Sequence, residues 1–389
     1  MKIYSEGCRI PVKMWVTDIE ESALKQAINL ANLPFVFKHV ALMPDCHAGY
    51  GMPIGGVIAT KGAVIPNAVG VDIGCGMCAM KTSLTEIDTE TIKKIMSGIR
   101  ELIPLGFDHH KENQDEQLMP SLDNIPEYGI VRRQYVAAMK QIGTLGGGNH
   151  FIEIQKGSDE HIWVMIHSGS RNIGLKVADY YNKLAVALNN RWYSVVDKSM
   201  ELAFLPIETQ EAKDYLVEMQ YCIDFAFANR LLMMERIKSV FSAVIGESFS
   251  ELEFTNIAHN YAVWESHFGN NVIVHRKGAT RAREGEVGII PGSQGTKSYI
   301  VRGKGNPESF MSCSHGAGRA LGRKQAQREL DLQAEIAKLD SQGIVHSIRQ
   351  AKDLDEAPGA YKDISTVMEN QRDLVDILVE LKPLAVIKG

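Results

Sequence analysis

The sequence predicts an α+β fold: one compact domain over residues 1–389, with mixed β-sheets surrounded by helices. Three observations carry that expectation. Short β-branched runs interleave with segments of helical spacing, without the regular strand–helix–strand alternation of a parallel sheet. Motifs bearing Asp, Cys or His recur among glycines from residue 45 to residue 315. Such motifs converge more readily in one domain than across several. The composition, 45% hydrophobic and 23% charged in 389 residues, is that of a globular chain able to bury a large core.

The elements follow in order. Residues 18–31 place Ile19, Ala23, Leu24, Ala27, Ile28 and Leu30 on one side of a helix. Residues 36–43 form an apolar strand that ends at Pro44-Asp45-Cys46-His47. Residues 51–82, rich in Gly and β-branched residues, read as strands and tight loops. Residues 88–101 read as a helix with Asp88 or Thr89 as its N-cap. Residues 106–127 are the most polar and loop-like stretch. Residues 132–141 are helical and lead into Gly146-Gly147-Gly148-Asn149-His150. Residues 151–154 and 162–166 are paired strands. Residues 173–199 and 209–244 are mostly helical, broken at Leu205-Pro206, and the second run is one long helix or two. Residues 271–275, 287–290 and 299–302 are strands, and residues 319–339 are a helix rich in Arg, Gln, Glu and Ala. The runs 375–380 and 384–389 close the chain. No internal repeat or heptad pattern is present.

A net charge of −5 excludes a polycation, so any nucleic-acid contact must come from local basic clusters. Arg276-Lys277 with Arg281, Arg302 with Lys304, and Arg319, Arg323, Lys324 are such clusters. The six cysteines are too sparse for a disulfide scaffold. No segment has the length of a membrane span, and the first residues lack the apolar core of a signal peptide. A reducing, cytoplasmic setting is the expectation.

Asp72 and Cys75, in Val71-Asp72-Ile73-Gly74-Cys75-Gly76, have the spacing to reach neighbouring metal ions from one turn, and a thiolate can bridge two ions. A turn aspartate beside a buried cysteine is the plainer reading. Cys75 and Cys78 form a C-x-x-C without the second pair that a zinc ribbon needs, so Cys78 is expected in the core. His150 follows three glycines, and Glu153 lies three residues on. His167 ends an apolar strand and precedes Ser168-Gly169-Ser170-Arg171, whose hydroxyls and guanidinium suit phosphate oxygens. Taken singly, His259 reads better as a core histidine than as a ligand, and His275 is similarly ambiguous. Lys277 and Arg281 read as phosphate or RNA contacts, or as a solvated basic loop. His315, in Ser314-His315-Gly316-Ala317-Gly318-Arg319, is expected just before a helix, where an N-terminus attracts anions. A neutral imidazole there can attack phosphorus; a helix-capping histidine is the alternative. Pro291-Gly292-Ser293-Gln294-Gly295-Thr296 lacks the Lys-Ser/Thr ending of a P-loop but can offer backbone donors to a nucleotide.

These segments together resemble the RtcB family of RNA-splicing ligases. The likeness is carried by Met43-Pro44-Asp45-Cys46-His47-Ala48-Gly49-Tyr50-Gly51, Gly55-Gly56-Val57, Gly70-Val71-Asp72-Ile73-Gly74-Cys75-Gly76 and Leu145-Gly146-Gly147-Gly148-Asn149-His150-Phe151-Ile152-Glu153. It continues through His167-Ser168-Gly169-Ser170-Arg171, Pro291-Gly292-Ser293, Ser314-His315-Gly316-Ala317-Gly318-Arg319, Glu356-Ala357-Pro358-Gly359-Ala360-Tyr361-Lys362 and the closing Lys388-Gly389.

The resemblance implies an RtcB-like fold and a GTP- and Mn²⁺-dependent ligase. Such an enzyme joins RNA 3′-phosphate or 2′,3′-cyclic phosphate ends to 5′-hydroxyl ends, in RNA repair or tRNA splicing. It implies one Mn²⁺ held by Cys75, His167 and His259 and a second by Asp72, Cys75 and His150. It implies His315 as the residue that takes GMP from GTP. Asn149 and Arg319 would lie near the phosphates, Glu153, Ser293, Tyr361 and Lys388 near guanine, and Arg171 on a substrate phosphate. Asp45 matches a family acid near the metals. Gln294 stands where the family loop usually has Met, and the polar stretch 106–127 is shorter than in many members. The alternative is a two-metal phosphodiesterase that uses the same centre without guanylylation.

Overall fold

The computed structural model describes residues 1–194, 196–246 and 249–389. Among these, two large sheets organise the α+β fold. The first has six strands in the order Lys2–Tyr4, Val12–Met14, Val36–His47, Ile54–Thr60, Asn270–Lys277 and Asn260–His267. The second has seven antiparallel strands in the order Glu251–Ala258, Gly76–Thr82, Ile162–Ser168, Phe151–Gly157, Val375–Lys388, Ser298–Gly303 and Val287–Ile290.

Both faces of the seven-stranded sheet are covered. Side chains alternate along a strand, so Cys78, Met80, Val164 and Ile166 face one way, against Ile95, Ile99, Met233 and Ile237 of the helices Thr89–Leu102 and Gln210–Ile245. Met77, Ala79, Trp163 and Met165 face the other way, against Leu339, Ile344 and Leu354. Cys78 is a core residue, as its neighbours suggested.

Helix starts follow the capping chemistry of the sequence. Asp88 accepts from the N–H groups of Glu90 and Thr91, and Thr209 accepts from that of Ala212. The second of these helices runs unbroken for 36 residues and stops at Gly246, whose φ is +84°. Among the described residues no helix is long and apolar enough to cross a membrane.

The structure departs from the sequence reading in three places. The helix expected over residues 173–199 is Arg171–Arg191, followed by turns, and Val195 lies outside the described residues. Residues 251–267, given no element from sequence, form the strands Glu251–Ala258 and Asn260–His267. The single helix expected over 319–339 is two, Arg323–Glu329 and Leu332–Asp340. Ala320 and Leu321 donate their N–H groups to Ala360 O instead of entering a helix, and Asp331 caps a fresh start at Leu332 by accepting the Ala334 N–H. His315 is therefore not beside a helix N-terminus, and the anion site expected there does not form.

Arg230 ties the long helix to the sheet. Its guanidinium is fully buried and donates to Asn256 Oδ1 at 2.7 Å, Gly74 O at 3.1 Å and Ser168 O at 2.9 Å. Arg230→Met keeps the volume but strands two buried carbonyls, so the unfolding free energy should fall by about 3 kcal/mol. A urea titration reads this, and an unchanged midpoint would contradict the role.

Candidate metal centre and adjoining pocket

The centre is assembled on a tight turn. Cys75 donates its N–H to Asp72 O at 3.1 Å, and Gly74 donates to Asn260 O at 2.9 Å. Asn260 Nδ2 returns a bond to Asp72 O at 3.0 Å, while His259 N–H donates to Cys75 O at 2.8 Å. Asn260, given no role of its own from sequence, thus locks the turn to the His259 crossover between two strands.

The five expected ligands come together as two overlapping groups, Cys75–His167–His259 and Asp72–Cys75–His150. Within each, one donor atom per residue lies within 4.8 Å of the others, and Cys75 belongs to both. Cys75 Sγ is 3.5 Å from His150 Nε2 and 3.4 Å from His167 Nε2. His167 Nε2 is 3.4 Å from His259 Nε2, and His150 Nε2 is 3.2 Å from Asp72 Oδ2.

The outer ring nitrogens set the inner ones. His150 Nδ1 meets Leu145 O at 3.0 Å and His167 Nδ1 meets Asn149 O at 3.1 Å. A carbonyl only accepts, so each Nδ1 carries the hydrogen and each Nε2 turns a lone pair inward. Burial, then the charge of Asp72, pushes the Cys75 thiol well above its usual range. Burial, reinforced by neighbouring imidazoles, pushes His167 and His259 well down. Neutral imidazoles are the ligating form, and a divalent ion would displace the thiol proton. Thiolate, carboxylate and imidazole together fit a transition-metal ion.

Strand register places the ligands beside a pocket. Ile257, Met77, His167, Phe151 and Lys388 pair in one row across five neighbouring strands. Two residues along on the same face, Val386, Glu153 and Met165 form the next such row. A cavity of about 160 Å³ opens there, lined by His315 with Asn149, Glu153, Ser293, Arg319, Tyr361 and Lys388. All seven residues assigned to a nucleotide from sequence therefore share one wall system.

His315 Nδ1 lies 2.6 Å from Asp45 Oδ2, which also accepts the His315 backbone N–H at 3.1 Å. Asp45 is fully buried. The His315 ring packs edge-on to His259, with centroids 4.8 Å apart. The Asp45 contact leaves Nε2 for the pocket.

Glu356, given no role from sequence, is the pocket's electrostatic hub. Its Oε1 accepts from Arg319 Nη1 at 3.0 Å and Arg323 Nε at 3.1 Å, its Oε2 takes the Tyr361 hydroxyl, and Lys388 Nζ is 3.6 Å away. Burial raises Glu356, but Lys388 and Arg319 outweigh it and the net shift is downward. Burial lifts the Glu153 carboxyl to about 8 and lowers Lys388. Gln294 donates Nε2 to Glu356 O at 2.8 Å and so supports the hub through its backbone. The acid within Glu356-Ala357-Pro358-Gly359-Ala360-Tyr361 was the available signal.

Three other residues have different fates. Arg171 Nε donates to Thr144 Oγ1 at 2.7 Å and Nη2 to Gly106 O at 3.2 Å, beside the glycine loop. Lys277 is buried, with its ammonium on the carbonyls of Tyr50 and Asn67, at 2.6 and 3.1 Å. Arg281 is paired with Glu286 at 2.6 Å. The structure does not bring Lys277 or Arg281 into the pocket, and both cations are already engaged. His275 is a core histidine that accepts the Ile65 N–H at 3.1 Å.

Three substitutions probe this geometry. Cys75→Ala should abolish tight divalent-ion binding at both groups, whereas His150→Ala should spare the one made by Cys75, His167 and His259. Equilibrium dialysis with elemental analysis counts the ions, and two ions retained by Cys75→Ala would refute the shared ligand. Gly146 has φ +92°, and a Cβ there would strike the Arg171 guanidinium and the His150 ring. Gly146→Ala should weaken ion binding at least tenfold, the effect expected when a group that orients a ligand moves; an unchanged titration would show that the loop gives way freely.

Known proteins are similar to this chain along nearly all of its length. The family model described as tRNA-splicing ligase RtcB matches residues 26–389. The RNA-splicing ligase RtcB of Escherichia coli strain K12 is 40% identical, over 97% of this chain and 97% of the relative. The tRNA-splicing ligase RtcB of Methanococcus maripaludis is 31% identical, over 99% of this chain and 96% of the relative. The corresponding protein of Thermococcus kodakarensis is also 31% identical, over 99% and 96%. With so much of both partners aligned, the chain belongs to the RtcB family.

Proposed function

We propose that this chain is an RNA ligase that uses GTP and two Mn²⁺ ions to join RNA 3′-phosphate or 2′,3′-cyclic phosphate ends to 5′-hydroxyl ends. The observation that carries the reading is the position of His315: its ring touches a metal-centre histidine on one side and lines the pocket on the other. A two-metal phosphodiesterase needs the centre but has no use for a further imidazole, outside the ligand set, held at Nδ1 by a buried carboxylate.

His315 Nε2 forms a bond to the α-phosphorus of GTP, and pyrophosphate leaves. Asp45 keeps the ring oriented and offsets the charge it gains. An oxygen of the RNA 3′-phosphate then displaces His315 from that phosphorus, which gives an RNA 3′-end joined to GMP through a pyrophosphate linkage. The 5′-hydroxyl attacks the RNA phosphate, loses its proton, and GMP departs. A cyclic end is first hydrolysed to the 3′-phosphate. When bound, the ions supply positive charge against the phosphate oxygens through these displacements.

The chain's own groups divide the remaining work. Glu153, Ser293, Tyr361 and Lys388 form the side that takes guanine, Asn149 and Arg319 the side that takes phosphates. Arg171 holds the RNA phosphate. A reducing cytoplasmic setting suits a buried thiol ligand. RNA repair and tRNA splicing both require this end chemistry.

Incubation with α-labelled GTP and Mn²⁺ tests the reading. A labelled adduct, stable to alkali and labile to acid, is expected with the unmodified chain. His315→Ala should form none while it still binds ions. Labelling of His315→Ala at the unmodified level would remove the nucleophile assignment, and no adduct from the unmodified chain would favour the hydrolase.

A further inference from the structure

Phe107 is 94% exposed, the most exposed large apolar side chain among the described residues. It packs against nothing that would explain it as core. Its backbone, however, is fixed in place from the preceding residue. Gly106 donates its N–H to Gly146 O at 3.2 Å and accepts from Arg171 Nη2 at 3.2 Å. Asp108 N–H closes the turn onto Leu105 O at 3.0 Å. Gly106 also lies against Gly147, with its Cα 3.7 Å from where a Cβ on Gly147 would stand. The loop that Phe107 rides on is thus bonded to the glycine loop that carries Asn149 and His150. It is bonded as well to Arg171, whose guanidinium lies against Gly146 of that same glycine loop.

We propose that Phe107 is a stacking platform for the nucleobase of the RNA 3′-terminal nucleotide, the one whose phosphate Arg171 holds. The inference rests on the ligase reading above. An exposed aromatic face beside a phosphate-binding cation is the pairing by which single-stranded nucleic acid is held: the cation takes the backbone and the ring takes a base, whatever its identity. A 3′ end at the centre is single-stranded at its last nucleotide, so its base is available to stack. The short polar stretch 106–127 then has a substrate-side function at its start, and Phe107 contributes affinity for the RNA end without touching the reacting atoms.

The test uses the full chain with Mn²⁺, GTP and a short RNA bearing a 3′-phosphate, made with and without a base on its last nucleotide. Phe107→Ala should raise the KM for the base-bearing end about tenfold, and Phe107→Trp should restore it. The end lacking that base should show the raised KM with the unmodified chain and no further rise with Phe107→Ala. Equal penalties on both RNAs would mean that the loop, not the ring, matters, and would overturn the proposal; so would an unchanged KM. Self-labelling by GTP uses no RNA and reports the ligase reading separately. If the unmodified chain does not label, that reading has failed and the stacking role goes with it. If it labels and seals but ignores the missing base, stacking alone has failed. Should Phe107→Ala not fold, the comparison of the two RNAs on the unmodified chain still decides.

Discussion

Buried lone pairs that face one another are the constraint on which this site depends. Two imidazoles donate outward to Leu145 O and Asn149 O, and their inner nitrogens close on Cys75 Sγ at 3.5 and 3.4 Å. His167 and His259 meet nitrogen to nitrogen at 3.4 Å. Such a cluster without a cation leaves acceptors desolvated and unsatisfied, which costs free energy. The surrounding fold must therefore hold it together by force of geometry. It does so with backbone: the Asp72–Cys75 turn is bonded to Asn260, the crossover at His259 is bonded to Cys75, and Arg230 anchors Gly74 and Ser168 from behind.

The same backbone fixes the distance between the centre and the nucleophile. His259 O accepts the Ala279 N–H at 3.2 Å, and Ala279 pairs with Ser314 in a two-stranded sheet. His315 is the next residue. Its ring position relative to His259 is then a matter of strand register, since a one-residue slip would turn it to the opposite face. Asp45 adds the rotation: two bonds to one carboxylate oxygen fix both the backbone and the ring of His315. No helix dipole is involved, contrary to the expectation from sequence, because residues 316–322 are held by Ala360 and Tyr361 rather than coiled.

The parts that sequence revealed were those with local chemistry. Asp72, Cys75, His150, His167 and His315 stand out because Asp, Cys and His in Gly-rich settings have few routine structural uses, whereas His259 was marked only by the family resemblance; the structure gathers all six. Capped helices such as Thr89–Leu102 and apolar strands such as Ile162–Ser168 were legible for the same local reason. The strands Glu251–Ala258 and Asn260–His267 were not. Their exposed positions mix Glu251, Glu253 and Ser266 with Leu252 and Trp264, which blurs the alternation that marks a strand, and their partners lie roughly 170 to 180 residues away at Gly76–Thr82 or across a hairpin at Asn270–Lys277. The run 319–339 has strong helix formers apart from Gly322 and Asp331, which become the N-caps of its two helices, and long-range bonds to Ala360 hold the residues before the first.

Glu356 shows why a residue can be central and still silent in sequence. Its importance is a sum over four partners from three stretches of chain: Arg319 with Arg323, Tyr361, and Lys388. The pocket gathers cations that would suit phosphates, and such cations repel one another at close range in a medium of low dielectric. One buried carboxylate offsets that repulsion, and the net downward shift of Glu356 shows it holding its charge in spite of burial. Lys388 is pulled down by the same burial, with Glu356 acting to keep it protonated. Removing the acid would leave Arg319 and Lys388 without their shared counter-charge, and the two walls of the pocket would lose their common anchor. The pocket is thus preorganised by an acid that faces its own protein, while the cations it gathers keep their remaining donors for the ligand.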